Sequence, residues 1–474
     1  MLSSWLPASD ARIAAACCVL LLYIFFCIVT LRNHRRQHGD AGSGDAGHPS
    51  DTNSATTLVA YASQTGFARQ LAIQTATSMR SAGRQVGLES LRDLGVGQLA
   101  SVPRVLFVVS TTGEGDAPDP AAGFVRSVLA ASAQLQQLSY AILALGDRQY
   151  DNFCGFGHRL DAWLRHQGAT PLFDVVEVDN GDEGALRHWQ HQLGVLAGTP
   201  DLPDWDVPRY DRWRLVGRQL LNPQSAGHPC FHLTLRPADP ILSSALSPAL
   251  SWTAGDIAEI DPVNSTWTTV AGQTLTHREY SIASIPKDGA IELLVRQMRR
   301  PNGEPGVGSG WLTETAPLDS DIALRIRSNP NFHPPGDSRP LLLIGNGTGL
   351  AGLRAILKAR IALGAHRNWL FFGERHRATD YFYRDDIESW QREGSIEKLD
   401  LVFSRDQQER RYVQHRLLEC ATGVREWFAA GASAYVCGSL EGMAPAVDSA
   451  LREIMGADAL EQLLVEGRYR RDVY

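Results

Sequence analysis

Short, continuous apolar runs fall into two groups separated by a stretch of different periodicity, and this pattern constrains the fold of the chain most. The first group is 58–62 (LVAYA), 105–109 (VLFVV), 141–145 (AILAL) and 173–178 (FDVVEV); the second is LLLIG at 341–345, WLFFG at 369–373, LDLVFS at 399–404 and AYVCG at 434–438. Such runs, spaced by amphipathic stretches, predict buried parallel strands with covering helices. Between the groups, residues 214–329 alternate apolar and polar. Strands are predicted there at 214–220, 231–235, 257–261, 280–283 and 291–296, which gives a small antiparallel barrel. A chain of 474 residues has room for roughly three domains of about 150 residues.

The N-terminal segment is of another kind. Residues 13–31 are apolar apart from Tyr23 and Thr30, a run of about 28 Å as a helix. Arg12 precedes it and Arg32, Arg35 and Arg36 follow, so the expectation is an uncleaved single-pass anchor in the inner membrane, with the bulk of the chain in the cytoplasm. Residues 37–56, rich in Gly, Ser, Asp and Ala, cannot bury a core and are expected to be a tether. The expected organisation is anchor 1–36, tether 37–56, α/β domain 57–198, linker 199–213, barrel 214–335 and second α/β domain 336–474. With 44% hydrophobic residues, a net charge of −7 and no basic stripe, nucleic acid is not an expected partner. Cys17, Cys18 and Cys27 lie in the apolar segment, while Cys154, Cys230, Cys420 and Cys437 are scattered, so neither a disulfide framework nor a metal site is expected.

Chemistry concentrates at the ends of the predicted strands. The first run leads into Ser63, Gln64, Thr65, Gly66, Phe67 and Ala68, where hydroxyls and backbone N–H groups open a helix and suit a phosphate. The second opens into Ser110, Thr111, Thr112 and Gly113, and the third into Leu145, Gly146, Asp147, Tyr150, Phe153 and Cys154. Ligands of open α/β sheets bind outside the carboxyl ends of strands, so three loops converge on one crevice. SQTG, STTGEGD and LGDxxYxxFCxFG together resemble the flavodoxin-like FMN domain of NADPH-dependent diflavin reductases. The resemblance implies that 63–68 hold the FMN phosphate, 110–113 flank the ring, and Tyr150 stacks on it. Many relatives carry an aromatic where Thr112 stands, which puts the ordering of the FMN redox states in question.

In the barrel, Arg278, Glu279, Tyr280 and Ser281 form R-x-Y-S, and Gly306, Val307, Gly308 and Ser309 form a glycine loop opening a helical stretch. Both resemble the FAD-binding elements of the ferredoxin-reductase family: Arg278 for the pyrophosphate, Tyr280 for the ring and Ser281 for N5, with Leu294, Val295 and Arg296 on the neighbouring strand. In the last domain, Gly347, Thr348 and Gly349 lie in a glycine loop after a strand. Ser404, Arg405, Arg410, Tyr412 and Gln414 form a polar run suited to a dianionic 2′-phosphate, which favours NADPH over NADH. Cys437 ends a strand, and the chain closes on Asp472-Val473-Tyr474, an ending similar to that of the family. By this resemblance Tyr474 covers the FAD face that the nicotinamide must occupy, and Ser281, Cys437 and Asp472 form the catalytic polar cluster. Gly352 departs from the family, which has proline there.

The fold class implied is therefore an N-terminal transmembrane helix, an α/β flavodoxin-like domain, and a ferredoxin-NADP reductase-like module made of an antiparallel FAD barrel and an α/β NADPH domain. About twenty residues separate Asp256 from Arg278, where larger relatives carry a helical connecting domain; that insert is expected to be absent. The activity implied is electron transfer from NADPH to FAD to FMN to a one-electron acceptor protein, expected to be a haemoprotein. Glu114, Asp116 and Asp119 are candidates to dock a basic patch on it. The alternatives are the flavoprotein component of a sulfite reductase, a ferric or quinone reductase, and an FMN-binding membrane adaptor.

Overall fold

The computed structural model describes residues 57–199, 203, 205, 208–238, 251–261, 277–300 and 302–474. The expected anchor 13–31 and tether 37–56 lie outside the described residues, and no helix among the described residues is long and apolar enough to cross a membrane.

The first six strands form a parallel sheet: β1 (Thr57–Ala62), β2 (Val86–Ser90), β3 (Arg104–Ser110), β4 (Ser139–Gly146), β5 (Thr170–Pro171) and β6 (Val176–Asp179), in the order β2-β1-β3-β4-β5, with β6 also on β4. Both faces are covered. Val105, Phe107 and Val109 point into one core and Leu106 and Val108 into the other, which is why the run reads as uninterrupted apolar sequence. Helix Phe67–Ser81 follows β1 directly. The last helix, Glu183–Ala197, is capped by Asp182, whose side chain accepts from the Ala185 N–H at 2.8 Å, and stops at Gly198 in the left-handed region (φ 71°).

Strands β7 (Asp211–Leu220), β8 (Cys230–Pro237), β9 (Ile257–Asp261), β10 (Arg278–Ser281), β11 (Ile291–Arg296) and β12 (Asp321–Arg327) make an antiparallel sheet in the order β10-β9-β12-β7-β8-β11. Its two ends meet: Ile282 bridges Leu293, and the Ala283 N–H donates to the Glu292 carbonyl at 2.8 Å, so the sheet closes on an interior of Trp213, Leu215, Leu233 and Ile322. The expected linker therefore ends early, because Asp211–Trp213 already belong to β7 and Trp213 is fully buried in the barrel.

The third domain is again a parallel sheet, β13 (Leu341–Asn346), β14 (Asn368–Glu374), β15 (Lys398–Phe403), β16 (Ser433–Gly438) and β17 (Tyr469–Val473), in the order β15-β14-β13-β16-β17. The chain runs from β13 outward to β15 and then restarts on the other side of β13, which opens a crevice at the carboxyl ends of β13 and β16. In the first sheet the reversal lies between β1 and β3. The closing residues are thus an edge strand in register with β16, Cys437 opposite Asp472.

Candidate functional site

Two clefts open at these reversal points. The larger, about 1060 Å³, lies between the barrel and the third domain. Its walls contain Arg278, Glu279, Tyr280, Ser281, Leu294, Val295, Arg296, Gly306, Gly308 and Ser309 from the barrel. Gly347, Thr348, Ser404, Arg405, Tyr412, Gln414 and Tyr474 come from the third domain. Gly308 packs on the stem of Arg278: a Cβ there would stand 2.6 Å from Arg278 Cγ, so R-x-Y-S and the glycine loop meet at a point that only glycine fits. Val307 opens the short helix Val307–Gly310. The Ser309 hydroxyl accepts from the Met298 N–H at 3.0 Å, leaving its own proton to donate. Burial pushes the Tyr280 phenol up to about 12, so it stays neutral.

Behind Ser281 is a closed polar cluster. Ser281 Oγ donates to Asp472 Oδ2 at 2.8 Å, and Cys437 Sγ lies 3.8 Å from the same oxygen; all three residues are buried. Burial raises the Asp472 carboxyl to about 6, even though the Ser281 bond opposes the shift, and it raises the Cys437 thiol well above its ordinary value. Gly349 is not on the cleft wall. It packs against the Cys437 carbonyl, where a Cβ would stand 2.0 Å away, and so sets the approach of β13's loop to β16. Gly352 sits within the first turn of helix Leu350–Ala362, a would-be Cβ 3.4 Å from Cys437 Sγ and 3.6 Å from Ser281 Cβ, so it is a packing position beside the cluster and not part of a loop. Arg410 is exposed on the turn after Ser404 and is absent from the cleft wall, contrary to expectation.

The second cleft, about 810 Å³, is lined by Ser63, Gln64, Thr65, Phe67, Ala68, Ser110, Thr111, Thr112, Gly113, Leu145, Gly146, Asp147, Tyr150, Phe153 and Cys154. Two hydroxyls, Ser63 Oγ and Thr111 Oγ1, are buried here without a hydrogen-bond partner, the mark of a site shaped for a polar ligand. Gly66 is not on the wall: at φ 89° it faces the barrel, and a Cβ would stand 2.2 Å from the Ser328 carbonyl. Gln64 also differs from expectation. Its Oε1 accepts from the Asp119 N–H (2.8 Å), and its Nε2 donates to Asp119 Oδ2 (3.1 Å) and to the Arg471 carbonyl (2.8 Å), so the side chain ties loops together instead of facing a phosphate. The Thr112 hydroxyl donates to the Ala117 carbonyl at 3.1 Å within its own loop.

This second cleft does not belong to one domain. Glu279 and Arg327 of the barrel, and Leu440, Glu441, Asp448, Arg471 and Val473 of the third domain, complete its walls. Sequence reasoning missed Arg327, Asn331 and Arg471. The alternation Ile322, Leu324, Ile326 was a legible signal for β12, and hence for Arg327 at its end. Glu279 lines both clefts. Glu259, His277 and Glu279 lie close enough together to suggest a metal site, but Arg325 pairs with Glu259 at 2.6 Å and Arg327 pairs with Glu279, so the carboxylates are committed to guanidinium partners. Asp119, expected on a docking surface, is buried and paired with Arg471, whereas Glu114 and Asp116 are exposed.

Comparison with known proteins decides the class. Residues 59–189 match the flavodoxin family model, and residues 343–449 match that of the oxidoreductase NAD-binding domain. Sulfite reductase (NADPH) flavoprotein alpha-components are similar along most of the chain. That of Neisseria meningitidis serogroup A is 28% identical, covering 88% of this chain and 89% of the relative. Those of Aliivibrio fischeri and Serratia proteamaculans are also 28% identical, covering 88% and 90% of this chain and 89% and 91% of the relatives. The two domain matches and these relatives together support membership of the NADPH-dependent diflavin reductase family for the chain. It is an NADPH-dependent oxidoreductase whose cofactors are FMN, FAD and NADPH. The alignment with the Neisseria relative runs over 537 positions, more than the 474 residues of this diflavin reductase, so that relative carries segments absent here. The orphan hydroxyls of the second cleft fit FMN. The glycine-backed Arg278, with Arg405 on the same walls, fits the phosphates of FAD and NADPH in the first, while Arg296 is paired with the buried Glu374.

Proposed function

We propose that this diflavin reductase delivers electrons singly to a haem-containing partner, in the manner of the flavoprotein component of an NADPH sulfite reductase. The observation that carries the reading is the serial arrangement of the clefts, which share Glu279 and so stand one side chain apart. When bound, the flavins supply the redox chemistry, a hydride taken up in the first cleft and single electrons released from the second. The chain's own residues supply orientation. Ser281 stands at the cleft wall with its hydroxyl proton held toward Asp472, and Asp472 and Cys437 form a buried cluster behind it. Ser404 and Arg405 offer a hydroxyl and a guanidinium at the far end of the same cleft, where a 2′-phosphate distinguishes NADPH from NADH. Tyr474, 55% exposed, lines the same cleft.

In support of the acceptor, the relatives that match along nearly their whole length are named as sulfite reductase flavoproteins. The test is reconstitution: the full chain, loaded with both flavins, is mixed with a sulfite reductase haemoprotein component and NADPH, and sulfide is measured. Sulfide formation is expected. Reduction of other haem proteins without sulfide would instead favour a general haemoprotein reductase. That second reading, together with attachment to the inner membrane, rests on the apolar run 13–31 and the arginines that follow it. Co-sedimentation of the full chain with membranes checks the attachment.

A further inference from the structure

Strand β17 reaches both clefts. Along it, Arg471 and Val473 line the second cleft, while Asp472 touches Ser281 and Tyr474 lines the first, because successive side chains of a strand point to opposite faces. Arg471 crosses to the flavodoxin-like domain. Its Nε lies 3.1 Å from both carboxylate oxygens of Asp119, and its Nη2 bonds one of them. Asp119 follows the ring-flanking loop and is 8% exposed. Gln64, from the phosphate loop, closes the arrangement by bonding the Asp119 N–H, the Asp119 carboxylate and the Arg471 carbonyl. Asn331 adds a second tie, donating from Nδ2 to the carbonyls of Ser63 and Gln64. Two of the three loops that face the FMN cleft are thereby fixed to the strand that carries the hydride-site carboxylate.

We propose that Asp119 and Arg471 are positioning residues for transfer between the flavins: their ion pair, in which the Asp119 carboxylate is buried and the Arg471 side chain is 29% exposed, holds the FMN cleft against the strand of the hydride site. The inference rests on the two-flavin relay and is independent of which partner finally accepts the electrons. The physical argument is one of desolvation. A buried, hydrogen-bonded ion pair is stable as a pair, but removal of one member leaves the other charge without compensation. With Arg471 neutralised, Asp119 keeps the Gln64 amide but loses its paired charge, and separation of the flavodoxin-like domain from β17 would bring its carboxylate to water. The pair therefore biases an equilibrium between a juxtaposed arrangement and a separated one, in which Asp119 joins the exposed Glu114 and Asp116. An interface pair that served stability alone would leave the rate between flavins unchanged once both cofactors are bound.

The experiment uses the full chain loaded with both flavins, as wild type, R471Q, D119N, the double variant and R471K. Stopped-flow mixing with NADPH separates the first bleaching phase, which reports hydride uptake, from the following redistribution between flavins; small-angle scattering gives the radius of gyration. The expected result for R471Q and D119N is a redistribution slowed about fivefold or more, in the range of ordinary coupling between sites, with the hydride phase within about twofold of wild type. The radius should increase, R471K should recover part of the rate, and the double variant should be no slower than either single one, because the two changes break one interaction. Unchanged redistribution and radius in both single variants would overturn the proposal, as would additive effects in the double variant. Loss of FMN from the variants, measured by extracting and quantifying flavin, would also overturn it, since the pair would then be part of the cofactor site; loss of the relay itself would show instead as no redistribution in the wild type.

Discussion

Replacing Asp472 with asparagine tests the hydride-site cluster through two independent readouts. The carboxyl is 4% exposed, and burial sets its pKa at about 6 against an ordinary 3.8. A shift of that size corresponds to about 3 kcal/mol in favour of the protonated form. The sign follows from linkage. The folded chain takes up this proton before the unfolded chain does, so above about pH 6 it carries the full penalty of a buried carboxylate. The penalty fades as the pH falls toward 3.8. Asparagine cannot ionise and keeps the shape, so at pH 8 the D472N variant should exceed wild type in stability by up to about 3 kcal/mol, and near pH 4 the difference should vanish. Urea midpoints across that pH range measure the effect. The hydride phase should move the other way. In wild type it should decline as the pH falls through about 6, where Asp472 protonates and ceases to accept from Ser281 at full strength. In the variant it should be slower by about tenfold or more and flat across the same range. If D472N shows the wild-type dependence of stability on pH, the titrating group is not Asp472 and the reasoning fails.

Three further changes separate the cofactor sites. Arg278→Ala removes the stem that packs on Gly308 together with the guanidinium it carries, and extraction of the flavins should then give FMN without FAD; retention of both would contradict the assignment. Combined Ser404→Ala and Arg405→Ala should raise the KM for NADPH by about tenfold or more while leaving that for NADH nearly unchanged, measured by initial rates. Ser63→Ala removes a buried hydroxyl that has no partner among the described residues, so its effect should fall on FMN: affinity weakened about tenfold in titrations of the flavin-depleted chain, with thermal stability of the FMN-free form unchanged or raised.

The parts of the fold that were legible are those where one local rule decides the structure. β3 and β4 are buried on both faces, so their sequences are apolar without interruption and terminate in the loops that line the cleft. β2 gave no such signal, because Val86–Ser90 is an edge strand whose residues are all half-buried. Nothing local in the ending GRYRRDVY announces a strand. It is a strand because β16 offers it a free edge and because Tyr469 is buried in the core of the third domain, facts that depend on residues far away in sequence. The same limit explains Gln64. Its place in the loop suggested a phosphate ligand, yet its bonding partners lie 55 and 407 residues away, and no local pattern announces them.

A strand that serves two sites at once leaves little freedom in its register. Because the period along β17 is two, a shift of one residue would exchange the faces: the position of Asp472 would turn from Ser281 toward the FMN cleft, and that of Arg471 away from Asp119. The pairing of Cys437 with Asp472 fixes this register on one side, and the Arg470 guanidinium fixes it on the other, donating to the carbonyls of Pro330, Asn331 and His333. Deleting Val473 would therefore do more than shorten the chain, since it would carry the tyrosine from the face of Asp472 and the first cleft to the face of Arg471 and the second. The spacing of the last four residues is thus set by geometry on both sides of the strand, and the hydride site and the flavodoxin-like domain are held in register by one short piece of backbone.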